Sequence, residues 1–172
     1  MDYFPDALAI VFPEEGPYSN TSGDAGGQTK WGVAHNMHPE ITDAQWAVWT
    51  KADSEIVLRK QYWDAHRCGE MPWPWALAVF DGVVNQGGIA IKYAQEALGI
   101  SADGIVGMDT LDSIEQASNE NFHTFLALRL LAYTKDGGFN VDGKGWFKRV
   151  INIAMAATAD PVFDSGVEED TE

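Results

Sequence analysis

Cysteine is nearly absent from this chain of 172 residues. Cys68 stands alone, so no internal disulfide and no cysteine-rich zinc site can form, and the sequence suits synthesis in a reducing compartment. Basic residues are scarce as well. Eleven Lys and Arg face 26 Asp and Glu, for a net charge of -15, which repels phosphate backbones and anionic lipids and removes nucleic acid from the expected partners. No window approaches the ~20 consecutive apolar residues of a membrane span, so membrane insertion is not expected. The opening MDYFPD is acidic and lacks the basic and apolar regions of a signal peptide. If the protein acts outside the cytoplasm, something else must release it.

Apolar residues, in contrast, are plentiful. Hydrophobic residues make up 45% and aromatics 12%, with seven Trp, enough for a sizeable core in one domain or two small lobes. A large multidomain machine is excluded, and a monomer is expected. The apolar positions Phe4, Leu8, Val11 and Phe12 form one stripe of a short helix, which Pro13 should end or kink. EEGPYSNTSGDAGGQTKWGV follows, rich in turn formers, and Trp31 and Val33 point to a short strand in a hairpin-like region. Thr42 with Gln45 makes a capping box for a helix to about Lys51, and Asp53 is placed to cap a second one. GEMPWPW reads as a connector between lobes.

Beyond the connector, WALAVFDGVVNQGG is an apolar helix. A helix with a small-residue face follows and stops at Gly99. SADGIVGMDT is a turn, with Asp109 or Thr110 capping the next helix. Phe122 to Tyr133 continue as an amphipathic helix, KDGGFNVDG is a loop, and Trp146, Val150 and Ile153 stripe the last helix. The fold is therefore mainly α. The end VEEDTE is an acidic run without apolar period, expected to be solvated.

Glu15 falls just after an apolar helix and just before a polar loop. The negative end of the helix dipole and partial burial both disfavour a carboxylate there, which suits a general acid near neutral pH. Asp24 follows nine positions later and Thr29 five after that, on a loop able to fold back across the helix end. A carboxylic acid and a second carboxylate are what glycoside hydrolysis needs. The same residues equally suit a surface acid, a turn residue and a strand residue. His35 and His38 form an H-x-x-H that could ligate metal with Glu40 or Asp43, although no strong third-ligand motif follows and no metal is expected. Trp31, Trp63, Trp73 and Trp75 flank loops where an indole could stack on a sugar, with core packing the default for each. Net charge could still conceal a local basic cleft formed by Lys30, Arg59 and Arg149.

The run from Glu15 to Val33, EGPYSNTSGDAGGQTKWGV, resembles the opening motif of glycoside hydrolase family 108, the phage and bacterial N-acetylmuramidases, in which E-G-G-Y leads to D-P-G-G-x-T and an aromatic-Gly-hydrophobic ending. Tyr62, Trp63 and Asp64 resemble its aromatic-Trp-Asp segment. Phe80, Asp81, Asn85 and Gly87 resemble its F-D-x-x-x-N-x-G helix. Ala94 to Leu111, with Gln95, Asp103, Gly104, Gly107 and Thr110, is similar to a region often labelled peptidoglycan-binding, and Gly145, Trp146 and Arg149 look like a closing G-W-x-x-R. The chain departs from the pattern at Pro17, where Gly is usual, and at Ala25, where Pro is common.

The resemblance implies a lysozyme-like, two-lobed helical fold with a small β-hairpin region after the first helix. It implies cleavage of the β-1,4 bond after N-acetylmuramic acid in bacterial peptidoglycan, without a cofactor. Glu15 would be the catalytic acid, with Asp24 and Thr29 as helpers and Tyr18, Trp31, Trp63 and Asn85 as substrate-binding residues. Residues 1–72 would form the catalytic lobe, 73–158 a helical lobe resembling a peptidoglycan-binding region, and 159–172 an acidic tail. A phage endolysin, made in the host cytoplasm and released with holin-type assistance, is the expected setting. Lytic transglycosylation and non-catalytic wall binding are the competing expectations.

Overall fold

Phe4, Ala7, Leu8, Val11 and Phe12 are all buried, and the stripe they form folds as helix α1, Phe4–Glu15. The chain structure is a computed structural model that describes residues 2–15, 18 and 27–159. Pro13 lies inside α1 and does not end it. Its ring fixes φ near the helical value, while its missing N–H leaves the Ala9 carbonyl without the bond it would otherwise accept within the helix. The departures at Pro17 and Ala25, and the acidic end from residue 160 onward, lie outside the described residues.

Strands β1, Thr29–Lys30, and β2, Val33–Ala34, pair antiparallel with Thr29 opposite Ala34 and Lys30 opposite Val33. The two residues between them, Trp31 and Gly32, have φ of 51° and 79°. Positive φ at both central positions is the turn whose twist matches a two-residue hairpin. Gly32 adopts it freely, whereas a left-handed Trp costs roughly 1–2 kcal/mol. Edge-on contact of Trp31 with Phe12, at 6.3 Å between ring centroids, offsets part of that cost and docks the hairpin on the last turns of α1.

Helices α2, Asp43–Ala47, and α3, Lys51–Val57, each begin with a capping box, Thr42 with Gln45 and Thr50 with Asp53. Asp53 is thus the third residue of α3 and Thr50 its cap, and α2 stops four residues short of Lys51 because Thr50 has already opened a new helix. The chain continues as a π-helical segment, Leu58–Asp64. The supposed connector is short. Cys68–Glu70 form a single 3-10 turn, Pro72 is the N-cap of α4, Trp73–Gln86, and Pro74 sits in its first turn. Prolines start this helix because the first-turn N–H groups have no intrahelical acceptor to lose.

Helices α5, Ile89–Leu98, α6, Met108–Glu115, α7, Asn119–Tyr133, and α8, Phe139–Ala157, complete the body. Gly107, not Asp109 or Thr110, is the N-cap of α6. Thr110 is buried and occupied by Gln95, which donates to its Oγ1 at 3.2 Å. FNVDG, expected in a loop, forms the first turns of α8, where the Phe139 ring lies against Gly143 and Phe147. Helix α4 is the axis of the molecule, packed by α1, α5, α7, α8 and the π-helical segment. Close approach of α5 requires Gly82, since a Cβ there would stand 2.9 Å from the Ala90 Cβ.

Candidate active site

The end of α1 is where the sequence places the chemistry. Glu15 is the last residue of that helix, three residues beyond Phe12. Phe12 meets Trp31 on one side and the Lys51 ammonium, 4.7 Å from its ring centroid, on another. The helix end, the hairpin and the start of α3 therefore converge. Thr29, half-buried, opens β1, and Tyr18 is 54% exposed. Asp24 lies outside the described residues.

A polar and aromatic web fixes the hairpin to the helices behind it. Lys30 Nζ donates to the Trp46 carbonyl at 2.6 Å, Trp46 Nε1 donates to Gln28 Oε1 at 3.0 Å, and Ser54 Oγ donates to the Lys30 carbonyl at 3.0 Å. The His35 ring stacks on Trp46 at 4.6 Å, and its Nε2–H donates to the Ile41 carbonyl at 3.0 Å. His38 is buried. Its Nδ1–H donates to Glu40 Oε1 at 3.1 Å, and the Tyr62 hydroxyl donates to its Nε2 at 3.1 Å. Both histidines thus hold the hairpin to α2 and the π-helical segment. Among the described residues no group of three or more His, Cys, Asp or Glu converges as metal ligands would.

Glu40 is held far below its ordinary carboxyl range, at about 2, chiefly by the Gln61 amide, then by its own backbone N–H and by His38. A carboxyl whose folded pKa is depressed adds stability that is complete above its unfolded pKa and is lost as pH falls through the folded value. We therefore expect the melting temperature to decline as pH drops from about 4.5 towards 2, and to decline less steeply in Glu40→Gln. Thermal melts across that window check the difference in slope. Glu40 is half exposed, so solvent screening keeps the effect modest.

Two groups of sequence candidates are corrected. Trp63 is 1% exposed and edge-packed on Phe4 and Phe80, at 5.5 and 5.4 Å. It is a core residue and not a sugar platform, because the wide π-helical turn directs it inward. Trp73 and Trp75 are buried as well. Trp73 Nε1 donates to the Ala159 carbonyl at 3.0 Å, and Trp75 stacks on Phe125. Trp31 alone of the four stays half-buried. The suspected basic cleft does not assemble either: Lys30 is bound to Trp46, Arg59 pairs with Asp2 and Asp64, and Arg149 is buried on Asp81.

Asn85 lies elsewhere, near the end of α4, on the wall of a cleft of about 330 Å³ that also contains Gln86, Tyr133, Asp136 and Trp146. The Tyr133 hydroxyl donates to Asn85 Oδ1, and Tyr133 stacks on Trp146 at 5.0 Å. Behind this wall Asp81, fully buried, accepts from Arg129 Nη2 at 2.6 Å and Arg149 Nε at 2.7 Å. Sequence reasoning missed Tyr133, Gln86 and Asp136 as cleft residues, since helix ends far apart in the chain bring them together.

A helical body with a small early hairpin is consistent with a lysozyme-like fold. Residues 8–87 match the family described as Glycosyl hydrolase 108, which supports a glycoside hydrolase. The chain is also similar to a solved structure, "Structure of Brucella abortus SagA", with 26% identity, a TM-score of 0.81, and coverage of 90% of this chain and 92% of that chain. No curated protein matches. The family match ends at residue 87 and does not reach the segment read as peptidoglycan-binding.

Proposed function

We propose that the chain is a peptidoglycan hydrolase of the N-acetylmuramidase type. The observation that carries the reading is the position of Glu15 as the last residue of α1, with the hairpin docked one turn away, inside the segment matched to Glycosyl hydrolase 108. At the carbonyl end of a helix a carboxyl group is biased towards its protonated form. Glu15 protonates the departing glycosidic oxygen. Asp24 and Thr29 position water or stabilise the oxocarbenium-like state, while Tyr18 and Trp31 hold the glycan at the hairpin side. The cleft lies between residues 1–72 and the helical part that follows, and residues 73–158 add contacts to the wall. The setting is that of a phage endolysin that reaches the wall only after release from the cytoplasm.

Digestion of purified peptidoglycan followed by mass spectrometry of the released ends tests this. A reducing N-acetylmuramic acid end is expected. An anhydro end would make the protein a lytic transglycosylase, and retention on the wall without release of sugar would make it a binding protein.

A further inference from the structure

We propose that the groove between the start of α4, the turn from α6 to α7 and the end of α8 is the seat of this chain's own Pro161, Val162 and Phe163. These three residues lie outside the described residues, and the assignment rests on the groove and on where the chain enters it. The groove encloses about 710 Å³, more than twice the cleft around Asn85, which is room for several side chains.

Its floor is apolar and already fixed. Trp73, Trp75, Ile114, Phe122 and Leu126 line it and belong to the core. Trp75 stacks on Phe125 at 5.5 Å and meets Phe122 edge-on at 5.6 Å, and Trp73 is tilted against Tyr3 at 5.6 Å. The polar side chains on the groove, Glu115, Ser118, Asn119, His123 and Thr158, are all exposed, so water still reaches them. No Lys or Arg is among the described residues that line it, which disfavours an anionic occupant.

The chain enters this groove as α8 ends. Ala154, Ala157 and Ala159 form part of its wall, and Trp73 Nε1 donates to the Ala159 carbonyl at 3.0 Å, which ties the last described residue to the floor. Pro161 follows three positions after the C-cap Thr158 and lacks the N–H that a further helical turn would need. Four residues separate Ala159 from Phe163, a reach of about 14 Å at full extension.

The sequence beyond Ala159 selects the occupant. Pro161, Val162 and Phe163 are contiguous and apolar, whereas the nine residues from Asp164 to Glu172 include five acids. The acidic part finds no cation on the groove and stays in water, while the apolar part gains by leaving water. Attachment at the groove edge makes this contact intramolecular, with an effective concentration on the order of millimolar. A second copy or a foreign apolar peptide competes without that advantage. The contact straps the end of α8 to α4 and α7, and it does not depend on which reaction the protein catalyses.

The test uses the full chain with Phe163 replaced by the photo-crosslinking residue p-benzoylphenylalanine, irradiated and mapped by peptide mass spectrometry. Crosslinks within one copy to residues 72–75 or 114–126 are expected. Crosslinks only between copies would give the groove to a second chain, and crosslinks elsewhere or none would leave it without this occupant; each overturns the proposal. Thermal melts supply an independent measurement. Phe163→Ser should lower the melting temperature by about 4 °C, Phe163→Leu should stay close to the parent, and Val167→Ser, beyond the segment, should leave it unchanged. A melting temperature for Phe163→Ser equal to that of Val167→Ser overturns the proposal as well.

Discussion

Asp81→Ala should cost about 3–5 kcal/mol of folding stability, the usual consequence of leaving buried charge without its partner. Asp81 is fully buried on α4 and is the shared acceptor of Arg129 from α7 and Arg149 from α8. Removing it leaves two guanidinium groups facing each other inside the molecule. Water cannot reach Arg129, which is also fully buried, and the positive charge of neither Arg can be relieved by deprotonation. Against a total stability of roughly 5–15 kcal/mol for a domain, such a loss removes a large share. Asp81→Asn keeps the volume and one acceptor oxygen but not the charge, and should fall between Ala and parent. Arg129→Met should cost less than Asp81→Ala, because Arg149 and Asp81 remain paired. Urea unfolding followed by circular dichroism measures all three. A loss below about 1 kcal/mol for Asp81→Ala would mean that the three helices repack without the triad. The substitution also reaches the cleft, since Arg129 holds Gln86 on its wall.

That triad shows where the sequence ceases to be informative. Asp81 lies 48 positions from Arg129 and 68 from Arg149, and no local pattern announces such a pairing. Helix content was legible because apolar period and caps are local: the α1 stripe, the α4 run and the stop at Gly99 were all read from neighbouring residues. A hairpin region was legible from its run of turn formers, but Trp31, expected in a strand, sits with Gly32 in the turn itself. Errors arose where one local signal has two physical meanings. Prolines at 72 and 74 mark either a linker or a helix start, and Asp53 serves equally as a cap or as the third residue of a capping box. Thr50, with Asp53 three positions on, carried the missing signal. Trp63 was misplaced because a π-helical segment shifts side-chain direction relative to an α-helical count. The helix-end position of Glu15 was legible. The cleft around Asn85 was not, being assembled from the ends of α4 and α7 and the start of α8.

Glu15→Gln should abolish measurable release of reducing ends from peptidoglycan while leaving the fold intact. Gln is close in volume and shape to Glu, so the end of α1 and the hairpin docked through Phe12 and Trp31 need not move. Gln also cannot ionise at the carbonyl end of a helix, where negative charge is unfavourable. The melting temperature should therefore stay within about 2 °C of the parent. Chemistry is affected otherwise. An alkoxide is a very poor leaving group, and a glycosidic oxygen departs at useful rates only when it receives a proton as the bond stretches. An amide has none to give. Loss of a general acid costs typically 10²–10⁴-fold, and here the residual rate should fall below detection on whole wall. Glu14→Gln separates this role from a neighbouring carboxylate: it changes the same charge one position earlier and should reduce activity only mildly. Initial rates on purified wall sacculi, with melts of each variant, decide the matter. Near-parental digestion by folded Glu15→Gln would remove Glu15 from the mechanism, and a collapse in Glu14→Gln alone would move the acid to that position.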